Sequence, residues 1–393
     1  MRRFLILCAA VALGAGAAFA KPQIAPLVES AWTQEQRDMV ATYWKGAVGN
    51  DVRTFINHPT LVKGISPFAE YILNESTLPP RHRALLVLRA AALANSPYVW
   101  GKYVPYATGA GLSAAEVQRV AEGSTAKWPE FEATLLRAAD ELHDNSFIST
   151  PTWDALAKTY NTNQLIDATF TVAEFTMLST TINSIGIEPD ASFAKLPKVT
   201  HAKPTKRGWE PLAIPRVPIL QPDQWTEEQA RLVDPKGMKK PLFVVLASFV
   251  NHTAMYIKRQ TISDQIRSGS VIPPRVREFA ISRVLARTKG HAEWAGHLGA
   301  LKAAGFAEAD LPRLAMPGYE GLSPADAAIA RAVDEIFDND RISEKTWTEL
   351  SAHFKPPEII DIAVAAGGYR MVAMAINTFG VPIGGAQVPA TMP

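Results

Sequence analysis

The sequence predicts an all-α protein built from two tandem helical domains, and three observations carry that prediction. Apolar residues recur at helical rather than alternating spacing through both halves. Strand-like runs bounded by turn pairs are scarce. The third observation is a repetition. Phe55, Asn57, His58, Pro79, Pro80, Arg81, Arg83 and Arg89 return 194 positions later as Phe249, Asn251, His252, Pro273, Pro274, Arg275, Arg277 and Arg283. The register then holds without a gap, so that Trp100, Gly111, Asp140, Asn145, Trp153, Asp167, Asn183 and Gly186 meet Trp294, Gly305, Asp334, Asn339, Trp347, Asp361, Asn377 and Gly380. Chance would give roughly one identity in sixteen positions at average composition, and several of these residues are rare. The pattern describes a duplicated domain rather than a solenoid array.

The first element is not part of either domain. Arg2 and Arg3 precede an apolar run from Phe4 to Ala18, and Ala18-Phe19-Ala20 supplies small residues at a cleavage position. Residues 1–20 therefore read as a secretory signal peptide, cleaved after Ala20 to leave a periplasmic or secreted protein beginning at Lys21. The run is short for a membrane span, which needs about twenty apolar residues. No other stretch is expected to approach that length, so no membrane association follows cleavage. Cys8, the only cysteine, leaves with the peptide, and with it any disulfide or thiol chemistry. Arg2 and Arg3 leave too, which balances acids and bases and gives no reason to expect nucleic acid or anionic lipid as a partner.

The first domain spans 21–190 and the second 225–385, each long enough to bury its own core. Between them lies a Pro-rich linker, 191–224, whose basic cluster from Lys198 to Arg207 reads as a solvated segment. In the second domain Pro273-Pro274 opens a helix, because a proline's missing N–H would be unpaired in the first turn anyway. That helix breaks at Thr288-Lys289-Gly290. The next runs from about His291 to Ala304 and stops at Gly305. Farther on, Asp334 to Trp347 and Asp140 to Trp153 read as helix, turn and helix start, with Asp334, Glu335 and Asp338 as capping and surface charge. They lack the alternating acids, the Gly and the terminal Glu of a calcium loop.

Arg277-Glu278-Phe279, then Glu293-Trp294-Ala295-Gly296-His297, then Gly305 with acids just after it, resembles the carboxymuconolactone decarboxylase family, similar in fold to the alkylhydroperoxidase D-like proteins. The likeness covers about 32–188 and 225–382 and is strongest in the second repeat. It implies two alkylhydroperoxidase D-like helical domains. In the peroxidase branch of that superfamily a Cys-x-x-Cys pair opens the helix; here Gly290 and Glu293 hold those positions, and a mature chain without cysteine is not a thiol peroxidase. What remains matches the decarboxylase-like pattern, which points to Glu278, Glu293 and His297 as catalytic residues, with no cofactor and no metal. Relatives assemble from several copies with sites near the interfaces. The resemblance thus implies a first half that acts as a built-in partner, and further homo-oligomerisation.

The chemistry of those residues can be argued independently. Glu293 and His297, four apart on a helix, are neighbours on one face and can share a proton. Glu278 faces them from the preceding helix, and two carboxylates in one partly apolar cleft are expected to push one pKa upward. Arg275 and Arg283 are candidate receivers of a substrate carboxylate, with Trp294 beside the acid–base pair and Tyr103 offering a phenol from the first half. Both arginines recur as Arg81 and Arg89, which fits structural ion pairs equally well. Subtracting the offset from the trio gives Ala84, Val99 and Tyr103, so all three groups are absent from the first half. Taken with the resemblance, these residues lead us to expect an exported, cofactor-independent lyase or decarboxylase acting by general acid–base chemistry on a small carboxylated, lactone or aromatic-derived, compound. An isomerase or lactone hydrolase with the same site, and a non-catalytic small-molecule binding protein on a degenerate fold, are the alternatives.

Overall fold

The computed structural model describes residues 22–44, 48–201, 208, 212–239, 241 and 244–383, and among them all regular structure is helical. The expected signal peptide lies outside the described residues, as do 202–207 of the basic cluster. The first half runs through α1 (Gln34–Tyr43), α2 (Asn50–Phe55), α3 (Pro59–Asn74), α4 (Pro80–Leu93), α5 (Pro97–Gly109), α6 (Ala114–Val120), α7 (Glu130–Asn145), α8 (Thr150–Ala157) and α9 (Thr162–Ile185). The second runs through α10 (Glu227–Val233), α11 (Val244–Phe249), α12 (Thr253–Asp264), α13 (Pro274–Thr288), α14 (His291–Ala303), α15 (Leu311–Ala315), α16 (Pro324–Asn339), α17 (Glu344–Ser351) and α18 (Pro356–Phe379). The bounds of α4, α5, α7, α8 and α9 reappear in α13, α14, α16, α17 and α18 at the offset of the sequence repeat, to within one residue.

The punctuation expected from the sequence sets these bounds. Pro80 and Pro274 occupy first turns, and Gly186 and Gly380 close α9 and α18 at φ +74°, where a side chain would be strained. Lys289 closes α13 in the same left-handed region, at φ +55°. Thr33 and Thr226 each close a capping box with the glutamine three positions on, satisfying N–H groups that the first turn leaves unpaired. A π-helical turn, Gln265–Gly269, continues α12.

At the centre, α9 packs along α18, and nearly every residue from Ile359 to Phe379 is buried. The helix α18 is long and apolar enough to cross a membrane, contrary to the expectation that only the N-terminal run approached that length. Its apolar stretch is wholly buried within the molecule, as a helix apolar on all faces must be when its neighbours are protein. The two backbones approach closely: a Cβ on Gly367 would lie 2.7 Å from Met177 Cγ. Most buried residues of both halves form one continuous cluster, with a small separate one at Trp32, Val40, Val52 and Ile56, where the sequence had predicted one core per half. The described part of the linker is also docked rather than solvated. Val217 is fully buried, Arg216 donates to the carbonyls of Ile148 and Thr378, and Thr200 N–H donates to Ala121 O.

Polar contacts across the halves are reciprocal. His58, at the start of α3, sets Nε2 3.0 Å from Asp361 of α18, and its counterpart His252 sets Nε2 3.2 Å from Asp167 of α9. Asp167 also accepts from Thr77 N–H and from the Tyr71 hydroxyl; Asp361 accepts from Val271 N–H. Burial opposes ionisation of Asp167, but His252 and Thr77 outweigh it and hold its pKa below the usual carboxylate value. The Asn-His pair kept in both halves is thus a structural device, in line with the packing role expected for a shared feature.

Candidate functional site

Helices α13 and α14 pack against each other across the break at Lys289-Gly290, and this brings Glu278 against the face that carries Glu293 and His297. His297 Nδ1 lies 2.7 Å from Glu278 Oε2, and Nε2 lies 3.5 Å from Glu293 Oε1. Arg277 Nε donates to the other Glu278 oxygen at 3.1 Å. The Tyr369 ring meets the imidazole edge-on at 4.9 Å. Burial disfavours charge on His297, yet the hydrogen bond to Glu278 and the carboxylate of Glu293 prevail and raise its pKa to about 9. Burial likewise opposes ionisation of Glu278, and its bonds to His297 and Arg277 lower its pKa nevertheless. At neutral pH the arrangement is therefore an imidazolium bonded to a carboxylate. The sequence had led us to expect a carboxylate raised by its neighbour; Glu278 is lowered instead, and a raised carboxylate lies on another helix. Glu174 on α9 is fully buried, neither of its oxygens has a hydrogen-bond partner, and burial lifts it to about 8 against the pull of Arg259.

The trio lines a cavity of about 220 Å³ walled by Phe249, Val372 and Tyr369. Three arginines border it: Arg259, Arg267 and Arg277. Arg277 is engaged by Glu278, and Arg267 pairs with Asp264 at 3.0 Å. Arg259 is different. It is 6% exposed, its Nε has no hydrogen-bond partner, and no carboxylate among the described residues comes within ion-pair distance. Burial accordingly lowers its pKa, with Glu293 opposing that shift from a distance. The Phe249 ring lies 5.5 Å from its guanidinium carbon.

The four residues expected to bind substrate are placed outside this cavity. Arg275 is bidentate to Asp326 at 2.7 and 3.0 Å and stacks on Phe306. Arg283 is buried and bidentate to Asp334 at 3.0 and 2.6 Å. Both guanidinium forks are therefore filled by protein carboxylates. Asp334, expected as surface charge, is correspondingly buried; Glu335 binds the Ser343 N–H and hydroxyl. Trp294 is fully buried in the core, with its indole N–H unpartnered. Tyr103 lines a separate cavity of about 60 Å³ in the first half and packs edge-on against Phe175.

That smaller cavity is the counterpart of the first, position by position. Asp51, Phe55, Ile65, Ser66, Val99, Lys102, Tyr103 and Leu178 stand where the larger one has Val245, Phe249, Arg259, Gln260, Glu293, Gly296, His297 and Val372. Its polar groups are spent on one another: Lys102 pairs with Asp51, which also accepts from the Tyr98 hydroxyl at 2.7 Å. The sequence reading missed Arg259 and Arg267, although the offset that isolated the trio sets them opposite Ile65 and Leu73. No family model matches the chain, and no match to a curated protein is found.

Proposed function

We propose that the protein is a cofactor-independent lyase of the carboxymuconolactone decarboxylase type, acting on a small compound whose carboxylate is β to a ketone or lactone carbonyl. The observation that carries this reading is the pairing, in one apolar-walled cavity, of an imidazolium bridged by two glutamates with a buried arginine that has no carboxylate within ion-pair distance among the described residues. Arg259 receives a substrate carboxylate, since an uncompensated buried guanidinium binds an anion strongly. As carbon dioxide leaves, the electron pair of the breaking carbon–carbon bond moves into the carbonyl, and His297 protonates the resulting enolate. Glu278 positions and charges His297. Glu293 faces the cavity as the base that would move a proton beside the carbonyl.

The test is a panel of carboxylated lactones with released carbon dioxide as readout, comparing wild type with His297→Ala and Glu293→Gln. Loss of a general acid or base typically lowers kcat by about 10²–10⁴-fold, and that drop is expected in both variants. Undiminished turnover in both sinks the assignment. Substrate consumed without carbon dioxide points to an isomerase or lactone hydrolase, and binding without turnover in the wild type to a binding protein.

The same reading includes export with cleavage after Ala20 and self-association of the chain. N-terminal sequencing of the secreted product and light scattering test these two points.

A further inference from the structure

Outside the cavity, His143, Asp144 and His201 bring three metal-type donor atoms within 4.8 Å of one another. His143 Nδ1 lies 3.2 Å from Asp144 Oδ1, and His201 Nε2 lies 3.0 and 2.9 Å from the two Asp144 oxygens. Donors bonded to one tetrahedral zinc at about 2.0 Å stand roughly 3.3 Å apart, so the two imidazole–carboxylate separations are near those of a coordinated set, with the two imidazole nitrogens within 4.8 Å of each other. The remaining nitrogen of His143, Nε2, lies 3.0 Å from Asp340 Oδ1, which Arg370 also holds at 3.3 Å. A carboxylate behind a histidine fixes its tautomer, so that a metal would take the place of the proton between His143 Nδ1 and Asp144. His143 and Asp144 sit at the end of α7 and His201 on the linker, and all three side chains are largely shielded from solvent. The repeat puts Phe337 where the first half has His143, so the cluster is no part of the duplicated pattern.

We propose that His143, Asp144 and His201 form a divalent-cation site, suited to zinc by its two imidazoles and one carboxylate, with Asp340 as the outer carboxylate. The metal would clamp the linker to the first half, beside the second half that supplies Asp340. It is independent of the acid–base cavity.

The experiment is a zinc titration of tag-free, chelator-treated mature protein by calorimetry, with bound metal counted by elemental analysis and cobalt(II) used as a spectroscopic probe. One zinc per chain is expected, with the visible bands of tetrahedral cobalt. His201→Ala is the variant of choice because it removes a donor from the linker and leaves the core intact; it should lose at least about 10-fold in affinity. His297→Ala should bind as wild type does. Absence of zinc binding, equal affinity in His201→Ala, or loss confined to His297→Ala would overturn the proposal.

Discussion

Arg259 and His297 carry opposite electrostatic debts to the fold. A buried guanidinium without a carboxylate weakens the folded state, so Arg259→Met should raise stability by about 1 kcal/mol or more in denaturant titration. The same change should weaken binding of a carboxylate ligand at least ~30-fold, about 2 kcal/mol. Loss of stability instead would show that Arg259 is a structural residue. His297 behaves differently because its folded pKa, about 9, lies above the ordinary histidine value of about 6.5. Its pairing with Glu278 is then fully stabilising below pH 6.5 and is lost as pH rises through about 9. Wild-type melting temperature should fall across that window, and His297→Phe should flatten the fall. Activity that needs the proton on His297 should show a basic limb near pH 9; a rate still rising there would contradict its role as acid. The trio was legible in the sequence because the first half lacks all three groups. Arg259 was equally visible by that subtraction and was passed over. What no subtraction reveals is which arginines already have a carboxylate, since that depends on how helices far apart in sequence pair.

At the scale of elements that pairing is regular. Arg275, Arg283 and Arg287 on α13 meet Asp326, Asp334 and Asp338 on α16, always 51 positions on, and Arg81 and Arg89 meet Glu132 and Asp140 at the same separation. A constant offset means helices running side by side in the same direction, laced along one face. Burial decides what each rung contributes. Arg283→Ala leaves the buried Asp334, among the described residues, with only the Tyr319 hydroxyl and, at 3.9 Å, Arg287, and should cost about 3 kcal/mol. Arg275→Ala, half-exposed, should cost no more than ~1 kcal/mol. Neither should change ligand affinity beyond its effect on folding, and a selective loss of binding in Arg275→Ala would return that residue to the site. Helix ends were legible from Pro80, Pro274, Gly186 and Gly380, whose backbone chemistry is local. Docking of the linker was not, because Val217 and Arg216 find their partners across long chain separations.

The whole molecule joins its halves by the same groups used twice. His58 reaches Asp361 while His252 reaches Asp167, and α9 lies along α18 with Gly367 opposite Met177, so the long buried helix of each half packs against that of the other. A chain of this length with two independent cores would unfold in two steps, since two-state behaviour is a property of small single domains. One shared core predicts a single cooperative transition in guanidinium, detected alike by tryptophan fluorescence and by far-ultraviolet circular dichroism. Residues 212–385 expressed alone should fail to fold, because α18 would expose an apolar surface long enough to span a membrane. Co-expression with residues 21–201 should restore a soluble pair. His252→Ala, which leaves Asp167 without its imidazole, should lower the single midpoint without splitting the transition. Two resolved transitions, or a soluble and cooperatively folded isolated half, would show that the halves are separate domains after all and that the reciprocal histidines merely dock them.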